Sequence, residues 1–221
     1  MNKRYVLWGG FIGVIVIVVL VMVRFAGQES DVTVANSAPA NNSDERSAIL
    51  EVRDDDWMKG NPDADVVVIK YSDFQCPACR FYASMDDRLS EELGDEVLFI
   101  YRHFPLQNFQ FSRLASTYAE AAGRQGQFWD MHDLIYINQQ RWSRSGDAET
   151  MFNQFVDSLE LDREQFEADL EDPGLMDRIR SDYDDGRQLG VRSVPTVFIN
   201  GEAIDSPGSF DGYRSLIEAH M

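Results

Sequence analysis

The chain has two cysteines, three positions apart, in the stretch Tyr71-Ser72-Asp73-Phe74-Gln75-Cys76-Pro77-Ala78-Cys79-Arg80. Nothing else in the sequence restricts the fold as much. Val66-Val67-Val68-Ile69 enters the stretch as a continuous apolar run, and Arg80 to Leu93 leaves it with helical spacing. The pair is therefore expected where a strand turns into a helix. Gly94-Asp95 stops that helix, and Val97-Leu98-Phe99-Ile100-Tyr101 reads as a second buried strand. Strand, thiol-bearing helix and strand make a βαβ unit, the core of an α/β fold.

A helix start is a reactive place for a thiol. Its unpaired backbone N–H groups carry partial positive charge and favour Cys76 as a thiolate. Pro77 suits the first helical position, where its missing N–H would be an orphan and its fixed φ is already helical. Two intervening residues in a first helical turn bring both sulfurs to the same end of the helix. The expected chemistry is thiol-disulfide exchange, with Cys76 the exposed sulfur that attacks or is attacked and Cys79 the more buried one that resolves the mixed disulfide. Other readings of C-x-x-C stay open. Half a zinc site needs further soft ligands, and His103, His132 and His220 are not paired at zinc spacing. Haem attachment requires a histidine where Arg80 stands. A purely structural disulfide closing so short a loop stabilises weakly.

The N-terminus makes a different statement. Met1-Asn2-Lys3-Arg4 is a basic stub, and Tyr5 to Val23 follows with no charge and no proline. That run spans ~28 Å as a helix, close to the ~30 Å hydrocarbon core, and exceeds the ~7–15 residues of a signal-peptide core. Residues 1–24 are read as a cytoplasmic stub and an uncleaved anchor. Lys3 and Arg4 before the span, against Arg24 after it, send the rest of the chain across the cytoplasmic membrane to a compartment where disulfides persist. Residues 25–49, rich in Ser, Asn, Ala and Asp, are read as a flexible tether, and 50–221 as one domain. The formal net charge of −18 argues against nucleic acid or anionic lipid as a partner of that domain.

Within the domain, Leu50 to Trp57 is expected to be a short first strand and Gly60-Asn61-Pro62-Asp63 a turn. From about 107 to 190 the apolar period is helical, through Leu114, Tyr118 and Ala121, then Phe128, Met131 and Ile135, then Phe152, Phe155 and Val156, with shorter segments at Phe166 and at Leu175, Ile179 and Tyr183. These aromatic positions suit a core. Thr196-Val197-Phe198-Ile199 and Glu202-Ala203-Ile204 flank Asn200-Gly201, the dipeptide favoured in a type I′ hairpin, and Ser209 to Ala219 closes the chain as a helix.

Three separated stretches, Val68 to Arg80, Tyr101-Arg102-His103-Phe104-Pro105-Leu106 and Val194-Pro195-Thr196-Val197-Phe198-Ile199-Asn200-Gly201, together resemble the DsbA-like thiol-disulfide oxidoreductases of the thioredoxin superfamily, here with a membrane anchor. The resemblance covers about Leu50 to His220. It implies a thioredoxin-like fold with an inserted helical domain, a cis peptide bond before Pro195, and a substrate-binding role for Pro195 and Val194, whose backbone pairs with bound peptide by strand addition. It further implies oxidation of reduced substrate proteins by the Cys76–Cys79 disulfide, no cofactor, a membrane redox partner that resets the dithiol, and a monomer. Pro77 and Ala78 are expected to tune the potential. Many relatives carry a glutamate six residues before the first cysteine where this chain has Lys70. A cation there either favours thiolate, snorkels to the surface or pairs with an acid. His103 is expected in a solvated turn. Within the same chemistry a reductase or isomerase is the alternative, and outside it a carrier of Cu(I) or Zn on the two thiolates.

Overall fold

The computed structural model describes residues 43–205 and 207–221. The expected anchor at Tyr5–Val23 lies outside the described residues, among which no helix is long and apolar enough to cross a membrane. In chain order the elements are α1 (Ser43–Ile49), β1 (Trp57–Gly60), β2 (Val66–Ser72), α2 (Pro77–Leu93), β3 (Val97–His103), α3 (Ser112–Arg124), α4 (Phe128–Ile137), α5 (Gln139–Trp142), α6 (Ala148–Ser158), α7 (Arg163–Glu171), α8 (Pro173–Gln188), β4 (Thr196–Ile199), β5 (Glu202–Ile204) and α9 (Phe210–Glu218).

The strands form one sheet in the order β1-β3-β2-β4-β5. β2 and β3 run parallel, with Val66 opposite Val97 and Ser72 opposite His103, and α2 makes the crossover between them. β4 is antiparallel to β2, and the hairpin to β5 turns at Asn200 (φ 47°) and Gly201 (φ 83°), both in the left-handed region that a type I′ turn requires. Alternation along the strands sorts the sheet's two faces. Val66, Val68, Phe99, Val197 and Ile199 pack against Tyr82, Met85 and Leu89 of α2 and Tyr213 and Ile217 of α9. Ile69, Tyr71, Leu98, Ile100 and Phe198 form the opposite face with Phe104, Leu189 and Val191.

Helices α3 to α8 are inserted between β3 and β4, spanning the range in which the sequence turns helical. The last three start at acidic positions of the sequence: Asp147 accepts from the Thr150 N–H, Asp162 from Gln165 and Asp172 from Gly174, each side chain satisfying an orphan donor. The helical core of Ala115, Tyr118, Ala122, Met131, Trp142, Phe152 and Phe166 is continuous with Phe74, Cys76 and Cys79. The insertion thus walls the dithiol directly.

Two expectations for the lead-in segment need correction. Residues 43–49, assigned by composition to the tether, are helical. Asp44 and Glu45 occupy the first turn, where the dipole favours them, and Arg46 donates to the Leu189 carbonyl (3.0 Å). The first strand begins at Trp57, not Leu50. The carbonyls of Ile49 and Glu51 are taken by the buried Arg102 guanidinium (2.5 and 2.8 Å), which also grips both Asp56 oxygens (2.9 and 2.8 Å). The Glu51 carbonyl, held by that side chain, is not available to a ladder.

Candidate active site

Beyond Ser72 the backbone turns once before α2 begins. The Cys76 N–H donates to the Asp73 carbonyl (3.1 Å) and the Arg80 N–H to the Cys76 carbonyl (3.2 Å), which makes Cys76 the residue that caps the helix. Cys76 brings no cap oxygen. Its side chain makes no cap hydrogen bond, and the Cys79 and Ala78 N–H groups act on its sulfur by favouring the thiolate. Pro77 occupies the first helical position, and both Pro77 and Ala78 are exposed.

The two sulfurs are unbonded to each other, as a dithiol. The Cys79 thiol hydrogen-bonds the Cys76 sulfur, and with the N–H groups of Cys79 and Ala78 it lowers Cys76 from 9.0 to about 7, against burial and the negative charge of Asp73. Cys79 moves the other way. Burial, then the adjoining Cys76, hold its thiol well above the ordinary value, despite the Ser72 hydroxyl and the Asp73 N–H, 3.5 Å from its sulfur. The first proton to leave the pair therefore leaves Cys76, while Cys79 keeps its own. Cys79 is the more buried of the two, at 0% exposure, but Cys76, at 6%, is more enclosed than expected from the sequence.

What closes over Cys76 is the loop before β4. The Val194–Pro195 peptide bond is cis, as the resemblance implies, and the Val194 carbonyl lies 3.4 Å from the Cys76 sulfur. Val194 and Pro195 are both partly exposed at this contact.

The insertion holds the dithiol loop from the other side. Gln139 of α5 donates to the carbonyls of Phe74 (2.7 Å) and Cys76 (2.9 Å). The Tyr136 hydroxyl lies 2.9 Å from the Ser72 hydroxyl and donates to the Asp73 carbonyl at 3.3 Å. Phe74 is fully buried among the rings of Tyr101, His103, His132 and Tyr136. None of these roles was assigned from the sequence. Asp73 had a usable signal, a charged residue set between apolar Tyr71 and Phe74 just before the cysteines. Gln139, 63 residues from Cys76, had none.

Lys70 is neither at the surface nor against a cysteine. It is 4% exposed and ion-pairs with Asp86 of α2, with its ammonium 6.0 Å from the Tyr101 ring centre. The acid that answers it is one helix turn's packing away, invisible in linear sequence. His103 is not in a solvated turn. It ends β3 fully buried, with Nε2 2.8 Å from a Glu120 oxygen that also accepts from Trp57 (2.7 Å). Among the described residues no three His, Cys, Asp or Glu side chains converge on a metal site.

A dithiol that opens the helix of a βαβ unit, faced by a cis-proline loop from the adjacent antiparallel strand, defines a thioredoxin-fold dithiol protein. The chain belongs to the thioredoxin family, whose model matches residues 53–219. Parts of longer proteins are also similar to it: 31% identity over 169 residues to a Na(+)/H(+) antiporter NhaA 1 of Mycolicibacterium gilvum, and 34% over 151 residues to one of Salinispora arenicola. The matches cover 74% and 67% of this chain but 26% and 22% of those proteins, so the chain spans about a quarter of the length of the curated relatives it matches. Solved structures share the fold. α-DsbA1 of Wolbachia pipientis superposes with a TM-score of 0.70 at 19% identity, covering 79% of this chain and 94% of that one. Oxidised BdbD of Bacillus subtilis gives 0.65 at 21% (74% and 91%), and the catalytic domain of Proteus mirabilis ScsC 0.67 at 16% (80% and 95%).

Proposed function

We propose that the protein is a thiol-disulfide oxidoreductase that oxidises the thiols of substrate proteins, tethered to the cytoplasmic membrane with its catalytic domain on the extracytoplasmic side. The observation that carries this reading is the asymmetric dithiol, with Cys76 lowered to about 7, Cys79 pushed well above 9, and the Val194 carbonyl 3.4 Å from the Cys76 sulfur. In the oxidised form a substrate thiolate attacks the Cys76 sulfur. The Cys76–Cys79 bond breaks, its electron pair leaves on Cys79, and Cys79 takes up a proton because its buried environment disfavours the anion. A second substrate thiolate attacks the substrate sulfur of the mixed disulfide. Cys76 leaves as the comparatively stable thiolate, so two electrons pass from substrate to protein and a substrate disulfide is released. The main chain at Val194 and Pro195 holds the substrate as an added strand, which recognises backbone and tolerates varied side chains.

The oxidising direction is supported by the names of the fold neighbours, DsbA and BdbD among them, and by the expected extracytoplasmic location. Cys76 at about 7 is as acidic as the thioredoxin nucleophile and supports exchange in either direction. The location rests on the apolar run Tyr5–Val23, and there a membrane redox partner returns the dithiol to the disulfide. Equilibrating the full chain with glutathione buffers tests direction. A potential well above that of thioredoxin (~−270 mV) is expected, and one as negative would make the protein a reductase. Stoichiometric metal on protein purified without chelator, with no exchange activity, would replace the enzyme by a carrier.

A further inference from the structure

Asp73 is fully buried beside the dithiol and has no part in the chemistry above. Its carboxylate gathers three donors from three segments of chain. One oxygen accepts from the Gln75 N–H (2.7 Å) and the Ser112 hydroxyl (2.6 Å), and the other from the Leu106 N–H (2.7 Å). Gln75 precedes Cys76, Leu106 lies in the loop after β3, and Ser112 starts α3. The same residue's carbonyl accepts the Cys76 N–H, and its own N–H lies 3.5 Å from the Cys79 sulfur. Burial pushes the Asp73 carboxyl above the usual carboxylate range, and the hydrogen bonds from Leu106, Ser112 and Gln75 act against that push. Two of the three are backbone N–H groups, which only donate and so fit the anion. Among the described residues Asp73 takes part in no ion pair.

An unpaired buried charge of the same sign as a nearby thiolate opposes it. We propose that Asp73 is a positioning residue that sets the potential of the dithiol. Its hydrogen bonds fix the loop carrying Cys76, while its negative charge makes the protein a weaker oxidant than the same loop around a neutral side chain. The inference rests on the reading of Cys76 and Cys79 as a redox pair and is independent of the direction in which that pair works. Two glutathione thiols and the protein disulfide exchange for the protein dithiol and one glutathione disulfide. The Cys76 thiolate stands on the product side, so whatever destabilises it holds the equilibrium toward the protein disulfide. Asp73 is held against Cys76 by the bond from the Cys76 N–H to the Asp73 carbonyl (3.1 Å), both residues are buried, and its charge acts on Cys76 in this sense.

The test uses the full chain and three proteins: wild type, Asp73→Asn, which removes the charge, and Ser112→Ala, which removes one hydrogen bond and keeps it. Each is equilibrated with glutathione, and its Cys76 is titrated by thiolate absorbance. For Asp73→Asn the Cys76 midpoint is expected to fall and the equilibrium constant to move tenfold or more toward the dithiol, about 30 mV. Ser112→Ala should stay within threefold of wild type. An unmoved or raised midpoint in Asp73→Asn overturns the proposal, as does an equal shift in Ser112→Ala, which would assign the effect to loop geometry. If the asparagine variant does not fold, Asp73→Ser supplies a neutral side chain that can still accept from the N–H two residues on. A wild type that does not equilibrate with glutathione at all removes the functional reading as well, whereas normal wild-type exchange with an unshifted neutral variant removes this inference alone.

Discussion

Lys70 and Asp86 show how much of this site depends on partners distant in sequence. Both are buried in the layer between the sheet and α2, and each is the other's compensation. Removing one member of a buried pair leaves an uncompensated charge and costs about 3–5 kcal/mol, whereas replacing both by apolar groups of similar volume is often neutral. Lys70→Met is therefore expected to lower the denaturation free energy by that amount, and adding Asp86→Leu to restore most of it, measured as midpoints in urea at constant slope. A single variant within 1 kcal/mol of wild type would mean that Asp86 finds another partner. From Cys76, Pro77 and Cys79 alone the nature of the site was readable, because a C-x-x-C at a strand-to-helix turn has its chemistry written into its spacing. What was not readable is what sets the environment: Asp86 opposite Lys70, Glu120 opposite His103, and Gln139 on the Cys76 carbonyl. These are contacts between elements, and no local pattern specifies them.

The elements themselves were legible where one signal dominated. The β2-α2-β3 unit, the Asn200-Gly201 hairpin and the inserted helices follow from period and turn chemistry. Leu50–Trp57 misled because its alternation resembles a strand, while Arg102, some fifty residues away, competes for its carbonyls. The packing of α8 on the sheet is another case of close fit that the sequence does not announce. Gly186 lies in the last turn of that helix, and a Cβ there would meet Phe104 at 2.8 Å and Tyr71 at 2.9 Å, with both rings buried. In an open helix Gly→Ala would gain up to about 1 kcal/mol, but overpacking a rigid core costs about 1–3 kcal/mol. Gly186→Ala is expected to be net destabilising by about 1–2 kcal/mol, seen as a fall of a few degrees in the thermal midpoint. A rise would show that α8 can lift from the sheet without loss.

At the scale of the whole molecule, the acidity of one sulfur becomes a property of folding. A disulfide that only crosslinks the chain stabilises it. Here the reduced form has a compensation that the oxidised form lacks, the Cys76 thiolate. Its folded value of about 7 lies below the ~8.5 of a free thiol, so the reduced fold gains stability as pH rises from about 7 toward 8.5 and loses it as pH falls through 7. The full gain is about 2 kcal/mol, reached only at the alkaline end of that window, and at pH 7 less than about 1 kcal/mol of it is present. Cys79 limits the gain from above. Its folded value is raised, so beyond the free-thiol range the unfolded chain ionises this second sulfur while the fold does not, and the trend turns over. Thermal midpoints of the reduced and disulfide forms, measured from pH 6 to 9, should therefore shift in favour of the reduced form up to about pH 8.5 and then begin to move back. Cys76→Ser, which has no thiolate to stabilise, should show no such gain over the disulfide form. Parallel curves for the two wild-type forms would mean that the thiolate is no better accommodated in the fold than in the unfolded chain, and Cys76 would lose its claim to be the activated sulfur.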